Sequence, residues 1–229
     1  NYARLKNLIP TDAMLGLKIM VTHESPDNIY LTRKDITDFL ALTDFETPLY
    51  EVVRDLFVIC CLTGFRYSDI STLQKARFED SFIYKTIEKT KQPGVIPIHP
   101  IVQQILDKYP NGLPACPPNQ VFNRYLKEIG KKLPQLNTDF VKVLTRGGVP
   151  DPKTYKKYQL LQTHTARRSF VTNEYLNGTP SITLRKITGH KSEEFLKYIK
   201  ADNLQHAHLM AQQWKKRKQD EDDAEAMAL

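Results

Sequence analysis

Apolar residues are densest over residues 49–62, a run with the length and continuity of a buried helix. Gly64 follows it closely, well placed to end that helix in a left-handed conformation. Ahead of the run, Thr32 can cap a helix through Leu42, with Asp35 at the third helical position as an acidic variant of the capping box. After it, Ser68 can cap a short helix over residues 69–74.

The pattern then changes. Residues 82–87 and 95–98 are rich in β-branched and aromatic residues, and residues 89–94 between them, with Pro93 and Gly94, read as a hairpin turn. Pro97 points to an edge strand. Helices are predicted over residues 101–108 and, capped by Asn119, over 120–132. Residues 140–158 read as a loop or a second small hairpin around Gly147 and Gly148. Thr163 can cap a helix over 164–177 that Gly178 stops; Ser181 begins another that Gly189 closes. Ser192 with Glu193 and Glu194 reads as a further start, and a last helix runs from 202 to about 218, leaving the acidic run 220–225 as a frayed end. Residues 1–27 read as a connector, with the end of a helix over 2–8 and interruptions at Pro10, Gly16 and Pro26. The expected fold is mainly α with one small antiparallel β-sheet (α+β), and no repeat is visible.

Composition narrows the class. Hydrophobic residues make up 41% of 229, enough for a core and too many for global disorder. The net charge of +7 favours polyanionic partners. Three cysteines, Cys60, Cys61 and Cys116, have neither zinc nor disulfide spacing, so a reducing, cytoplasmic setting is expected. There is no signal peptide, no run long enough to span a bilayer, no Gly-x-x-x-x-Gly-Lys phosphate loop and no carboxylate cluster for paired magnesium ions. No cofactor, metal or membrane partner is therefore expected. Over residues 127–157, eight Lys and Arg stand against three acids, Glu128, Asp139 and Asp151. This excess reads equally as a DNA-backbone surface or a solvated helix face.

Candidate chemistry lies in an ordered set: Arg66, lysines in the hairpin, His164 with Arg167, His190 and Tyr198. Breaking a phosphodiester without metal needs three things. Guanidinium groups suit the charge spread over the non-bridging oxygens, and Arg66 and Arg167 qualify. A tyrosine hydroxyl serves as nucleophile if a base or cationic neighbourhood assists it. A lysine on the hairpin can protonate the departing sugar oxygen. His164 and Arg167, three apart at a helix start, share one face. His190, after the Gly189 stop, can donate to a phosphate oxygen or exchange a proton. Taken singly, each of these residues has an ordinary structural reading; the order of the set gives it weight.

That set resembles the catalytic domain of the tyrosine recombinases, the integrase family of phages and conjugative elements. Residues 63–70, Thr-Gly-Phe-Arg-Tyr-Ser-Asp-Ile, are similar to the segment holding the family's first catalytic arginine, here Arg66, and a supporting acid, here Asp69. Lys89 matches the hairpin lysine, with Lys85 and Lys91 as rivals. His164-Thr165-Ala166-Arg167 is similar to the His-x-x-Arg box, Gly189-His190 to the second histidine, and Tyr198 to the nucleophile. The resemblance spans residues 30–200. It implies site-specific recombination of double-stranded DNA through a 3′-phosphotyrosine intermediate, without metal or ATP. It also implies self-association on DNA as a dimer or tetramer and a C-terminal helix packing on a neighbouring protomer. The domains expected are a linker over 1–27 from a preceding DNA-clamping domain, a catalytic domain over 28–203, and a C-terminal helix and acidic tail over 204–229.

Two positions depart from the family pattern. Ala166 stands where leucine is common, a matter of packing. The interval from His190 to Tyr198 is one residue short, a rotation of about 100° on a helix. The preceding loop must compensate, and Tyr175 is the next tyrosine if it does not. The alternatives are a type IB topoisomerase, which reseals the same strand, and a non-catalytic DNA-binding accessory protein.

Overall fold

The computed structural model describes residues 28–89, 91–146, 149–190 and 195–227. The connector expected over 1–27, the turn residue Thr90, the Gly147–Gly148 tip and the helix start at Ser192 lie outside the described residues. The elements are α1 (Arg33–Leu40), α2 (Pro48–Thr63), α3 (Tyr67–Ile70), β1 (Arg77–Glu79), β2 (Phe82–Thr86), β3 (Pro93–Pro97), α4 (Pro100–Lys108), α5 (Asn119–Lys131), β4 (Asp139–Arg146), β5 (Val149–Lys156), α6 (Thr163–Leu176), α7 (Ser181–Thr188) and α8 (Asn203–Met227). Short 3₁₀ turns at Leu73–Lys75, Pro134–Leu136, Lys157–Leu160 and Leu196–Tyr198 link them.

The apolar run becomes α2, whose residues from Val53 to Cys61 are all buried. It packs against α1, α4, α5 and α6. Each fully buried Leu, Ile or Phe on it, such as Leu56, Phe57 and Ile59, contributes about 1.5–3 kcal/mol. Arg54 and Asp55, the charges inside this run, are reconciled by pairing with each other and, through Asp55, with Lys108 and Tyr109. Thr32 and Asp35 form the expected capping box on α1. Gly64 ends α2 at φ 72°, where an added Cβ would also meet Phe170 Cδ1 at 2.6 Å.

The sheet near residue 80 has three antiparallel strands in the order β1-β2-β3, so Pro97 does lie on an edge strand. The sequence reading missed β1, a three-residue strand with every residue exposed and so without alternation to betray it. Residues 140–158 form the hairpin alternative: β4 and β5 pair over eight residues as a second sheet, where one sheet was expected.

Three caps differ from expectation. Arg66, not Ser68, precedes α3, because the Asp69 carboxylate three residues on accepts the Arg66 N–H at 3.1 Å. Pro118 replaces Asn119, whose amide oxygen accepts instead from Asn123 at 3.2 Å. Gln162 replaces Thr163, its N–H held by the Thr165 hydroxyl at 3.1 Å. The last helix also continues through the acidic run to Met227 rather than fraying near 218. Among the described residues, no helix is long and apolar enough to cross a membrane.

Candidate active site

The first half of α6 is buried on nearly every side, including the polar residues Thr165, Arg167, Arg168, Ser169 and Thr172. These side chains divide the labour. Arg168 donates to Ile29 O at 3.0 Å, Ser169 accepts the Leu31 N–H at 2.8 Å, and Asn173 donates to Leu31 O at 2.9 Å, tying the start of the described chain to the helix. Arg167 and His164 turn instead towards His190 and Tyr198.

Arg167 is 1% exposed. Its Nη1 donates to Gly64 O at 2.8 Å, its Nη2 to Thr188 O, and its Nε lies 3.2 Å from His190 Nε2. The two glycine-closed helix ends, at Gly64 and Gly189, thus frame one guanidinium. Burial, with Arg66 nearby, pulls Arg167 down to about 9, which leaves it charged at pH 7.

The partners of His190 define its tautomer. The Thr188 hydroxyl donates to Leu184 O at 2.5 Å, so it accepts from His190 Nδ1 at 2.8 Å. Nε2 is then an acceptor facing Arg167. In this state the Nδ1 hydrogen of His190 is held by Thr188 and its Nε2 faces Arg167. Burial first, then Arg167 and Arg66, push its pKa down to about 3.

Tyr198 lies in the 3₁₀ turn Leu196–Tyr198, with its hydroxyl 2.6 Å from His164 Nε2. Its ring sits 4.1 Å from that of His190, centroid to centroid, and 5.8 Å from the Arg167 guanidinium carbon. The short spacing after His190 is therefore accommodated, and Tyr198 reaches the cleft. Tyr175 instead pairs with His206 at 3.3 Å. Thr172 anchors the tyrosine segment: its hydroxyl donates to Tyr198 O at 3.0 Å and accepts from Lys200 N at 3.1 Å.

His164 is exposed as a residue, yet its ring packs 5.3 Å, centroid to centroid, from that of Tyr198. Burial leads, with Arg168, Arg167, Arg66 and Lys89 adding repulsion, and its pKa falls to about 4. It is neutral at pH 7, and across the 2.6 Å contact its Nε2 accepts from or donates to the Tyr198 hydroxyl according to its tautomer. Arg66 stands half-buried, and its Nη1 is buried without a hydrogen-bond partner.

Of the three hairpin lysines, Lys85 is buried against Thr72 at 2.7 Å and Lys91 pairs with Glu88 at 2.8 Å. Lys89 is exposed, and its charge is felt by both His164 and His190. Asp69, fully buried, spans the gap between arginine and hairpin: Oδ2 accepts Arg66 N–H at 3.1 Å and Oδ1 accepts Glu88 N–H at 2.9 Å. Of the six residues singled out in the sequence, His164, Arg167, His190 and Tyr198 are linked by direct contacts, and the charges of Arg66 and Lys89 reach both histidines. Thr72, Thr172 and Arg168 went unread. Thr172 stands eight residues after His164, on the same helix face, a polar position in a buried stretch that could have drawn attention.

The arrangement sets a tyrosine hydroxyl against a neutral histidine, with the Arg167 and Arg66 guanidinium groups nearby. Its fold is that of a tyrosine recombinase catalytic domain. The chain is similar to the integrase of Escherichia phage P2, 25% identical over 170 residues, covering 73% of this chain and 41% of that protein. Among solved structures it resembles the Tn1549 transposon integrase in complex with circular intermediate DNA (TM-score 0.60, 16% identity, 93% of this chain and 74% of that one). It also resembles the XerH site-specific recombinase bound to a difH substrate (TM-score 0.56, 16% identity, 81% and 52%). The chain thus spans less than half the length of the P2 integrase and about half that of XerH. No protein-family model matches.

Proposed function

We propose that this chain is the catalytic part of a site-specific DNA recombinase that cleaves and rejoins double-stranded DNA through Tyr198. The observation that carries the reading is the Tyr198 hydroxyl 2.6 Å from a neutral histidine, beside Arg167 and Arg66, whose charge Asp69 offsets only in part. Asp69 is the one acid among them, and its oxygens are engaged by backbone N–H groups.

Arg66 and Arg167 bind the non-bridging oxygens of the scissile phosphate, and the unpartnered Arg66 Nη1 finds its acceptor there. The Tyr198 oxygen attacks phosphorus while its proton passes to His164 Nε2. The bond from phosphorus to the 5′-oxygen breaks, and Lys89 gives that oxygen a proton. One phosphodiester becomes a 3′-phosphotyrosine, which is also a diester. A 5′-hydroxyl reverses the step, so no external energy source is needed. Bound phosphate also offsets the cationic repulsion that depresses His164, strengthening it as proton acceptor when DNA is present. Self-association on DNA, with α8 reaching a neighbouring protomer, belongs to the same reading.

A two-site experiment separates recombinase from topoisomerase. The chain is incubated with two intact duplexes that carry the same site and differ in length and label. Products that join strands of both duplexes are expected. Cleavage and resealing within each duplex, with no exchanged product, would favour the type IB topoisomerase reading.

A further inference from the structure

The turn between β2 and β3 is fastened from below by a cluster that the reaction itself leaves unused. Lys85, on β2, has a side chain only 4% exposed. Its ammonium lies 2.7 Å from Thr72 Oγ1, 3.4 Å from Thr72 O and 3.8 Å from Glu88 Oε1. A buried ammonium needs a nearby counter-charge, and Glu88 supplies it. Glu88 Oε1 also lies 3.1 Å from Thr72 Oγ1, and Oε2 lies 2.8 Å from Lys91 Nζ. Its own N–H donates to Asp69 Oδ1 at 2.9 Å. Backbone and side chain of the residue before Lys89 are thus both tied to the α3 region that carries Arg66. The far side of the turn is closed as well: Lys91 N donates to Ile87 O at 2.8 Å and Ile87 N to Gln92 O at 2.9 Å. Lys91 takes φ 56° to make this closure.

The exposed Lys89 side chain has rotational freedom, but its point of attachment does not. A hairpin tip fixed only by its own two strands would swing by more than proton transfer tolerates, since a displacement of about 1 Å costs on the order of 100-fold in rate. We propose that Glu88, through Thr72 and Lys85, is a positioning residue that holds Lys89 at the leaving oxygen. This rests on the reading of Lys89 as proton donor.

The test compares two DNA substrates under single-turnover conditions: one with an ordinary scissile phosphate, one with sulfur in place of the 5′-bridging oxygen. A thiolate leaves without a proton, so defects in delivering the proton vanish on the sulfur substrate. Glu88→Gln is expected to slow cleavage of the ordinary substrate about 10- to 100-fold and the sulfur substrate less than about 3-fold. Equal slowing of both, or of neither, overturns the proposal. Because Glu88→Gln strands a buried ammonium and could fail to fold, Thr72→Val, isosteric and uncharged, carries the same test, with a smaller but equally substrate-selective loss expected. Lys89→Ala is run beside them. If sulfur fails to rescue Lys89→Ala, the proton-donor reading itself is wrong. If sulfur rescues Lys89→Ala and neither of the others, the positioning role alone is lost.

Discussion

Asp69 and Glu88 are joined by a 2.9 Å hydrogen bond from the Glu88 N–H to a fully buried carboxylate oxygen, while the other oxygen holds the Arg66 N–H. One side chain therefore sets the spacing between the first arginine and the hairpin lysine. Asp69→Asn puts an amide NH₂ against one of two inward-pointing N–H groups and leaves one unsatisfied. The expected cost is about 1–3 kcal/mol in stability, with DNA cleavage falling further than the fraction of folded protein. Denaturant melts and cleavage rates on the same samples check this.

The site histidines make stability depend on pH. Burial and neighbouring cations hold His164 at about 4 and His190 at about 3, below the ordinary value near 6.5. Between those values the unfolded chain binds more protons than the folded one, so stability rises with pH. Acidification from pH 6.5 towards 4 is expected to lower Tm, and His190→Gln should lessen that slope. An unchanged slope in the variant would contradict the assigned neutral state.

Thr172 makes two hydrogen bonds to the segment around Tyr198, one to each side of Ile199. Thr172→Val keeps the shape and removes both. A loss of about 1–2 kcal/mol is expected, together with faster amide exchange at Lys200 and slower formation of the covalent adduct. Hydrogen exchange by mass spectrometry reads the first directly.

The hairpin lysines differ in their contacts: Lys91 pairs with Glu88, whereas Lys89 is exposed. Lys89→Ala should reduce cleavage about 100- to 10,000-fold with DNA binding largely kept. Lys91→Ala removes an exposed pair with Glu88 and should change stability by less than about 1 kcal/mol, with a far smaller effect on cleavage. Equal losses in the two would overturn the choice between them.

Most helices were legible because their apolar spacing and glycine stops are local. Gly64 and Gly189 both end helices with positive φ, as their positions implied. The ordered set of arginines, histidines and tyrosine was legible as a pattern. What joins its members was not. Asp69 meets Glu88 across nineteen residues, Thr172 meets Tyr198 across twenty-six, and Arg167 meets Gly64 O across 103. No local periodicity encodes such contacts. β1 was invisible because an exposed three-residue strand has no buried face. The short His190–Tyr198 interval was legible as a departure, but its accommodation by a 3₁₀ turn held to Thr172 was not.

The central claim, that Tyr198 is the nucleophile of a metal-free transesterification, is tested most directly by incubating the chain and its Tyr198→Phe variant with supercoiled plasmid in excess EDTA without ATP. Protein remaining linked to DNA after denaturation is then measured. The account predicts linkage with the unaltered chain, none with Tyr198→Phe, and comparable DNA binding by both. Linkage that survives Tyr198→Phe, or that requires a divalent metal, would contradict it.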